Sequence, residues 1–339
     1  MRVCAMSTSP KASRVAVAAA AAALAAGTAL VAVPSASAAP TPTAVGTFAP
    51  YTDMSNANEN LLHTALTEHG LTSFTAAFVI GTGCDQIWGD TLPVGDDPYT
   101  DPLIEQAKSE GASVIISSGG AAGLPLAWSC TDQDAVTAGY QKIIDSYGVN
   151  SLDFDIEGGA LVDTEAAARH MTAMRTLKDA NPDLTFSVTL PVLPDGLTDD
   201  GVNVIKAAKD AGVKIDVVNI MTMDYYQGEQ DMGQAAISAG EATLEQMKSV
   251  DSSYGYGNLG ITPMIGVNDD NTVFTLDDAS EVASWAADKG VGRLAHWSVN
   301  RDTPCAGATA ASSGGHLAAS STCSGVEQET LAFSDALAG

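Results

Sequence analysis

The sequence predicts a single (β/α)₈ TIM barrel, and three observations support this fold class. Apolar runs typical of strands alternate eight times with segments typical of helices. One of these runs has a purely acidic face, which suits a strand that lines the inside of a barrel. Residues 39–339, which follow a leader, match one barrel of about 250 residues with insertions. A doubly wound open sheet is the alternative, but no Gly-rich phosphate-binding turn follows the first strand.

The predicted elements alternate in chain order, and each apolar run is followed by a helical segment. The expected strands lie near residues 45–48, 74–80, 113–117, 151–156, 185–190, 217–222, 259–265 and 292–297. The expected helices lie near residues 56–69, 101–110, 132–147, 163–180, 201–211, 232–250, 277–289 and 327–337.

The first 38 residues have the pattern of a secretory signal peptide. Three basic residues, Arg2, Lys11 and Arg14, precede an Ala-rich apolar run, and a small-residue site ends at Ala38. A membrane anchor is the alternative interpretation, but the run is only weakly apolar. We therefore expect cleavage after Ala38 and a secreted, extracellular protein whose catalytic domain is residues 39–339.

The chain is strongly acidic, with a formal net charge of −26 at pH 7. Removal of the three basic residues of the leader would make it more negative. Such a surface disfavours nucleic acid and anionic membranes as partners and favours a neutral or cationic one. We expect a monomer that binds neither nucleic acid nor membrane.

Four cysteines remain after the leader, and an even number in a secreted chain indicates two disulfides. Of the three pairings, we favour Cys84–Cys130 and Cys305–Cys323, because each would clamp one loop region. The second would tie the base of an Ala/Ser/Gly-rich loop, residues 305–323. Free buried thiols are the alternative. No Cys or His pair has the spacing of zinc ligands, so no metal and no cofactor are expected.

The acidic face belongs to the run of residues 151–157, where Asp153, Asp155 and Glu157 alternate with Leu152, Phe154 and Ile156. This period of two places the carboxylates on one face of a strand, with Glu157 nearest its C-terminal end, where barrels of this kind hold their active sites. Carboxylates stacked about 6.6 Å apart do not easily share one metal ion. A buried ionic network would need basic partners, of which the strands contain almost none. General acid chemistry fits better, because clustered carboxylates push one another's pKa values apart.

Residues 149–157 resemble the DxxDxDxE signature of glycoside hydrolase family 18, with Asn150 at the first acidic position and Ser151 in place of Gly. Residues 117–120, SSGG, resemble the SxGG motif of that family, and residues 221–224, MTMD, resemble its MxYD motif. Trp297 ends the eighth strand, where the family keeps a Trp as the floor of the sugar site. The strongest likeness is to the bacterial and archaeal chitinases of the family with an LDFDIE core.

The resemblance implies roles for these residues. Glu157 would protonate the glycosidic oxygen, Asp155 would bind the N-acetyl group of the substrate, and Asp153 would modulate Asp155, with Ser117 as its partner. Substrate would also contact Asp224, Met221 and Trp297. The Tyr of MxYD is Met223 here, so we expect Tyr226 to replace it, because Thr222, Asp224 and Tyr226 would be in phase on a regular strand. Tyr225 is the weaker choice.

The mechanism follows from the position of the acids. A standard retaining glycosidase has a second carboxylate across the bond, about 5–5.5 Å from the acid. Here the other acids of the strand lie beneath Glu157, so the acetamido oxygen of the substrate is the expected nucleophile. Family 18 is an exception of this kind.

The sequence therefore predicts a secreted chitinase that binds chitin or N-acetylglucosamine oligosaccharides. An endo-β-N-acetylglucosaminidase that acts on N-glycans and a non-catalytic chitin-binding protein are the alternatives, and a metal-dependent enzyme that uses the acidic strand is a third. Trp88 and Trp128 are interpreted either as sugar subsites or as loop packing, Trp285 as a core residue, and His296 as a packed residue that faces a helix.

Overall fold

Eight parallel strands close into a barrel in the computed structural model, which describes residues 47–56, 59–89, 92–228, 230–306 and 319–339. These residues fall in one unit, Thr41–Gly339. The strands pair in chain order, and isolated parallel bridges from Phe48 to Leu294 and from Tyr51 to Trp297 join the last strand to the first. The predicted (β/α)₈ barrel is confirmed. The proposed signal peptide, residues 1–38, lies outside the described residues.

The barrel strands are numbered in chain order: β1 Tyr51–Asp53, β2 Ser73–Thr82, β3 Ser113–Gly119, β4 Ser151–Asp155, β5 Thr185–Pro191, β6 Val217–Met221, β7 Leu259–Thr262 and β8 Arg293–Leu294. The main helices are α1 Glu59–Thr67, α2 Thr100–Ser109, α3 Gln133–Tyr147, α4 Thr164–Ala180, α5 Asp199–Ala211, α6 Met232–Val250, α7 Leu276–Lys289 and α8 Ala332–Ala338. Short helical turns lie at Leu126–Ser129 and Gly158–Leu161, and short strands at Asp85–Trp88, Gly266–Val267 and Val273–Phe274.

The first strand was predicted at residues 45–48, and this prediction is wrong. Residues 45–46 lie outside the described residues, Phe48 forms only an isolated bridge, and β1 is Tyr51–Asp53. The cause is Pro50, which has no N–H and argues against a central strand in the sequence. In the barrel, the carbonyl of Pro50 accepts the N–H of Thr75 at 2.9 Å, so the chain pairs with β2 across the proline.

The last helix begins at Ala332 and not at residue 327 as predicted. Leu331 precedes it with a φ of 64°, which interrupts a helix at that point. The carboxylate of Asp302 accepts the backbone N–H groups of Phe333 at 3.1 Å and Ser334 at 2.7 Å. These two bonds satisfy donors at the N-terminus of α8, where helical N–H groups have no partner in the helix.

Both disulfides form with the predicted pairing. Cys84 bonds to Cys130 and ties the turn after β2 to the short helix Leu126–Ser129. Cys305 bonds to Cys323, although most of the loop that this bond closes, residues 307–318, lies outside the described residues. No helix in the described part of the chain is both long enough and apolar enough to cross a membrane.

The side chains that point away from the barrel axis form the main hydrophobic core against the helices. Phe154 is completely buried and lies 4.8 Å, ring centroid to centroid, from both Tyr140 of α3 and His170 of α4. His296 is also buried and its Nε2 lies 3.0 Å from the hydroxyl of Ser334 in α8, so the expectation that it packs toward a helix is confirmed. Burial lowers the pKa of His296 to about 4, so it is neutral at pH 7.

Two of the tryptophans are packing residues. Trp88 is 1% exposed, and its indole N–H donates to the hydroxyl of Tyr147 at 2.7 Å, so its interpretation as loop packing is correct. Trp285 packs against the core, and its ring is nearly perpendicular to that of Tyr256, at an interplanar angle of 83°. Trp128 is partly buried against the core, and its ring covers Gly159, where a Cβ would lie 2.9 Å from it.

Candidate active site

The interior of the barrel holds a polar network centred on the carboxylate of Asp153. Four hydroxyl groups donate to it: Tyr51 at 3.0 Å, Ser117 at 2.7 Å, Ser187 at 2.5 Å and Thr189 at 2.9 Å. These donors come from β1, β3 and β5. Asp153 is 1% exposed, and four donors offset much of the cost of burying its charge. The predicted contact of Ser117 with Asp153 is present.

The network continues across the barrel through Asn219 of β6. Its amide donates to Tyr51 at 3.2 Å and to Thr189 at 3.1 Å, and its oxygen accepts the hydroxyl of Thr262 at 2.8 Å. Arg293 of β8 donates to Ser187 at 2.9 Å. Such barrels usually fill this space with branched apolar side chains. Here a chain of hydrogen bonds fixes Asp153 from several strands.

Asp155 and Glu157 lie above Asp153 on the same face. The strand ends at Asp155, but the backbone of Glu157 is still extended, with φ −128° and ψ 167°. The alternation therefore continues to Glu157, as the sequence predicted. Both side chains line a cavity at the C-terminal ends of the strands. Asp155 is 3% exposed, and its Oδ1 has no hydrogen-bond partner within the protein.

The pKa values of Asp155 and Glu157 are both raised. Burial raises the pKa of Asp155 well above its usual range, and the charges of Glu157 and Asp153 raise it further. Burial also raises the pKa of Glu157, while a hydrogen bond with Asp155 opposes that rise and the charge of Asp224 adds to it. Two neighbouring carboxyl groups with raised pKa values retain a proton at a pH where isolated carboxyl groups have lost it.

The cavity opens at the C-terminal end of the barrel. Most of its wall residues are acidic, aromatic or sulfur-containing, and the others are small or carry a hydroxyl group. The wall consists of Tyr51, Phe78, Ala121, Asp155, Glu157, Thr189, Met221, Met223, Asp224, Thr262, Met264, Asp269 and Trp297. Ligand sites are typically concave and largely apolar with a few polar groups. Of the predicted site residues, Asp155, Glu157, Met221, Asp224 and Trp297 therefore share one cavity.

The apolar floor of the cavity is a cluster of three rings. Trp297 stacks on Phe78 with ring centroids 5.5 Å apart and an interplanar angle of 17°. The ring of Tyr51 lies 6.2 Å from Trp297 and 6.3 Å from Phe78. Trp297 was predicted at this position, whereas Phe78 and Tyr51 were not. An aromatic surface of this kind suits the apolar face of a sugar ring.

Asp224 is held by the loop that follows β7. Its Oδ1 accepts the backbone N–H of Asp269 at 2.7 Å and that of Asp270 at 3.3 Å. Its own N–H donates to the side chain of Asn268 at 3.3 Å. Burial and the charge of Asp269 raise its pKa, and the two backbone N–H groups oppose this. Asp224 therefore lines the same cavity as Glu157 in an orientation that the loop fixes.

The prediction for Tyr226 is corrected by the path of the chain after β6. That strand ends at Met221, and both Asp224 and Tyr226 have left-handed backbones, with φ of 48° and 56°. The chain is therefore not a regular strand here, and the assumption that Thr222, Asp224 and Tyr226 are in phase is wrong. The side chain of Tyr226 is 74% exposed and does not line the cavity.

The neighbours of Tyr226 occupy different positions. Tyr225 is buried, 3% exposed, and does not line the cavity either. Met223, at the motif position of the missing Tyr, does line it. The thioether of Met223 thus occupies the wall where the motif would place a phenol.

One cluster of acidic side chains lies apart from the cavity. In the described part of the chain, the three acidic side chains whose ligand oxygens converge within 4.8 Å are Asp231, Asp278 and Glu281. They lie at the starts of α6 and α7, outside the cavity.

Comparison with known proteins agrees with this geometry. Residues 47–256 match the model of the glycosyl hydrolases family 18. A probable bifunctional chitinase/lysozyme of Escherichia coli (strain K12) is 34% identical over 279 residues, which cover 76% of this chain and 31% of that protein. Endochitinase 11 of Metarhizium anisopliae is 33% identical over 278 residues, which cover 76% of this chain and 53% of that protein. The chain thus spans about a third and about half of the length of these two curated relatives.

A solved structure extends the likeness over the whole barrel. Catalytic-site mutants of active domain 2 of a thermostable chitinase from Pyrococcus furiosus were crystallised with chito-oligosaccharides. This chain is 32% identical to that domain, with a TM-score of 0.78, over 88% of this chain and 96% of the other.

Proposed function

Because the chain belongs to the glycosyl hydrolases family 18, we propose that it is a secreted chitinase that hydrolyses β-1,4 bonds between N-acetylglucosamine units. The observation that carries the proposal is the pair Asp155 and Glu157 on one wall of the cavity, with an unpartnered buried Oδ1 on Asp155. The likeness to a chitinase domain crystallised with chito-oligosaccharides supports the substrate class.

In this proposal Glu157 is the general acid. It lies at the mouth of the barrel, and its raised pKa keeps it protonated at a higher pH than a free glutamate. A substrate whose glycosidic oxygen lies beside Glu157 would receive this proton as the bond to the leaving sugar breaks. The leaving sugar then departs as a neutral alcohol.

Asp155 is proposed to bind the acetamido group of the sugar on the other side of the scissile bond. Its Oδ1, which has no hydrogen-bond partner within the protein, would accept a hydrogen bond from the amide N–H of the sugar. This contact orients the acetamido oxygen toward the anomeric carbon. Asp224, fixed by the backbone of Asp269 and Asp270, would contact the same group.

The acetamido oxygen is proposed as the nucleophile. It bonds to the anomeric carbon as the glycosidic bond breaks, and the resulting ring is opened by water that gives its proton to Glu157. Two displacements at the same carbon retain the β configuration. Family 18 enzymes are among the glycosidases that depart from the two-carboxylate mechanism in this way. The rings of Trp297 and Phe78 would support the apolar face of the sugar.

An endo-β-N-acetylglucosaminidase would use the same groups on a different substrate. The test is product analysis with N-acetylglucosamine oligomers of defined length and with a high-mannose glycoprotein. We expect release of chito-oligosaccharides and no deglycosylation. The reverse result would establish the alternative enzyme, and binding without turnover of either substrate would indicate a chitin-binding protein. Activity unchanged by EDTA would exclude a metal-dependent reaction.

Secretion is proposed from the leader, residues 1–38. Expression in a secreting host, followed by intact-mass measurement of the protein in the medium, tests it. A chain that starts at Ala39 supports the proposal, and a full-length chain that stays in the cell contradicts it.

A further inference from the structure

Arg293 is a buried cation at the opposite end of the barrel from the cavity. It is the first residue of β8 and 9% exposed, and the cavity lining does not include it. Its Nη1 donates to the hydroxyl of Ser187 at 2.9 Å, and that hydroxyl donates to Oδ1 of Asp153 at 2.5 Å. Ser187 therefore links the guanidinium to the carboxylate at the centre of the polar network.

A buried guanidinium is costly, and the protein satisfies this one only in part. Among the described residues, Arg293 forms no ion pair within 4.0 Å, and its Nε has no hydrogen-bond partner. Burial lowers the pKa of Arg293, while the charge of Asp153 acts in the opposite direction. Arginine nevertheless remains charged in proteins. The cost indicates that the charge itself has a role.

The groups that face Asp153 come from several strands. Arg293 of β8 carries a positive charge, and Tyr51 of β1 is a phenol whose pKa burial raises. Asp155 lies two residues after Asp153 on β4, and Glu157 follows the end of that strand. The remaining neighbours are the neutral hydroxyls of Ser117, Ser187 and Thr189. The negative charge of Asp216 also raises the pKa of Arg293, but Asp216 forms an ion pair with Lys178 at 2.7 Å.

We propose that Arg293 is a positioning residue of the active site, which acts through Ser187 to hold the carboxylate of Asp153 in place and to offset its negative charge. This inference rests on the proposed function, because it concerns the same carboxylates. Asp153 in turn acts on Asp155, since a negative charge below Asp155 favours a proton on it. A guanidinium at the base of the barrel thus sets the protonation of a pair at its mouth.

The proposal predicts the direction of a shift in the pH profile. Without the positive charge, the negative charge of Asp153 is offset less and raises the pKa of Asp155 further, so the carboxylate of Asp155 that would bind the acetamido N–H forms only at a higher pH. The acidic limb of the profile of kcat/KM therefore moves to higher pH. Unit charges about 5 Å apart inside a protein interact strongly enough to shift this limb by about one pH unit or more.

The test measures kcat/KM against pH for wild type and four variants on a soluble N-acetylglucosamine oligomer. Arg293→Met removes the charge, Arg293→Lys retains it, and Ser187→Ala removes the link. Ser118→Ala is the matched control, because Ser118 is equally buried and its hydroxyl bonds to no protein group. We expect an upward shift of the acidic limb in Arg293→Met, a smaller one in Ser187→Ala, and the wild-type limb in Arg293→Lys and Ser118→Ala.

Three outcomes would overturn the inference while the proposed function stands: an unshifted limb in Arg293→Met, an equal shift in Arg293→Lys, or an unshifted limb in Ser187→Ala. If Arg293→Met does not fold, as judged by circular dichroism and thermal unfolding, Arg293→Gln, which also removes the charge, takes its place. Absence of activity in the wild type on this substrate would instead count against the proposed function.

Discussion

The backbone of Gly119 lies directly against the carbonyl oxygen of Asp155. A Cβ at position 119 would be 1.9 Å from that oxygen, and the φ of Gly119 is 122°, a conformation open to glycine. The next residue, Gly120, donates its N–H to the same oxygen at 3.1 Å. The two glycines of the SSGG motif therefore place the end of β4, and with it Asp155, at the cavity.

Gly119→Ala should strongly destabilise the protein and abolish activity, because the new methyl group must displace the end of β4. Contacts and strain of this kind cost on the order of several kcal/mol. Thermal unfolding and turnover of a chito-oligosaccharide measure the two effects. Gly257→Ala is the control, since nothing lies within 4 Å of its Cβ position and its φ is not in the left-handed range. A Gly119→Ala protein as stable as Gly257→Ala would contradict this account of the motif.

Asp155→Asn should stabilise the protein at neutral pH while it lowers activity. The pKa of Asp155 is higher in the folded protein than in the unfolded chain, so protonation of Asp155 favours the folded state. This contribution to the free energy of unfolding is fully present below the pKa of the unfolded chain, about 3.9. That stability is lost as the pH rises through the raised pKa of the folded state. Asn remains neutral, so the variant should unfold at a higher temperature than wild type, by a difference that grows from pH 4 to pH 7.

Differential scanning calorimetry across this pH range measures the effect. A stabilisation of 1 kcal/mol shifts the midpoint by about 2–4 °C in a chain of this size. Asp288→Asn, an exposed site at the end of α7, is the control and should give a constant difference. If the difference in unfolding temperature between Asp155→Asn and wild type is also independent of pH, burial of the charged carboxylate of Asp155 does not destabilise the folded protein.

Glu157→Gln should abolish turnover and leave the fold and oligosaccharide binding intact. The substitution keeps the shape of the side chain and removes the proton that a general acid donates. Hydrolysis rates and calorimetric binding of a chito-oligosaccharide measure the two properties. Glu165→Gln, in the exposed first turn of α4, should behave as wild type. Activity of Glu157→Gln within about tenfold of wild type would mean that another group is the acid.

Tyr226→Phe should change kcat and KM by no more than about twofold. The hydroxyl of Tyr226 projects from an exposed side chain outside the cavity, so its loss removes no contact with a sugar bound there. Steady-state kinetics on a chito-oligosaccharide test this. Trp297→Ala provides the contrast and should weaken binding, because it removes the floor of the cavity. A loss of about 10²-fold in kcat for Tyr226→Phe, typical of a lost transition-state donor, would mean that the loop after β6 closes over substrate.

The positions that sequence predicted correctly depend on local patterns. The period of two in residues 151–157 places Asp153, Asp155 and Glu157 on one face whatever the rest of the chain does. The phase of Tyr226 was predicted by the same rule and is wrong, because the left-handed backbone at Asp224 ends the regular strand. Nothing in the local sequence of residues 221–226 signals that turn, which is held by bonds to Asn268 and Asp270.

Apart from the contact of Ser117 with Asp153, the polar network could not be predicted, because its members are distant in sequence. Tyr51 is 102 residues from Asp153, and Arg293 is 106 residues from Ser187. The strand residues Ser187, Thr189 and Asn219 are also ordinary in composition, and only closure of the barrel makes them neighbours. The sequence suggested that almost no basic partner lies on the strands, yet one arginine at the start of β8 reaches the network. A charged residue inside a predicted barrel strand is the signal that would have identified Arg293.

In the proposed mechanism, the acetamido group of the substrate attacks the anomeric carbon while Glu157 donates the proton. Proton NMR of a fresh digest of an N-acetylglucosamine oligomer, recorded before mutarotation, tests it most directly. We expect that the first product is the β-anomer and that fully deacetylated chitosan gives no product under the same conditions. An α-anomeric first product, or efficient cleavage of the deacetylated polymer, would contradict it.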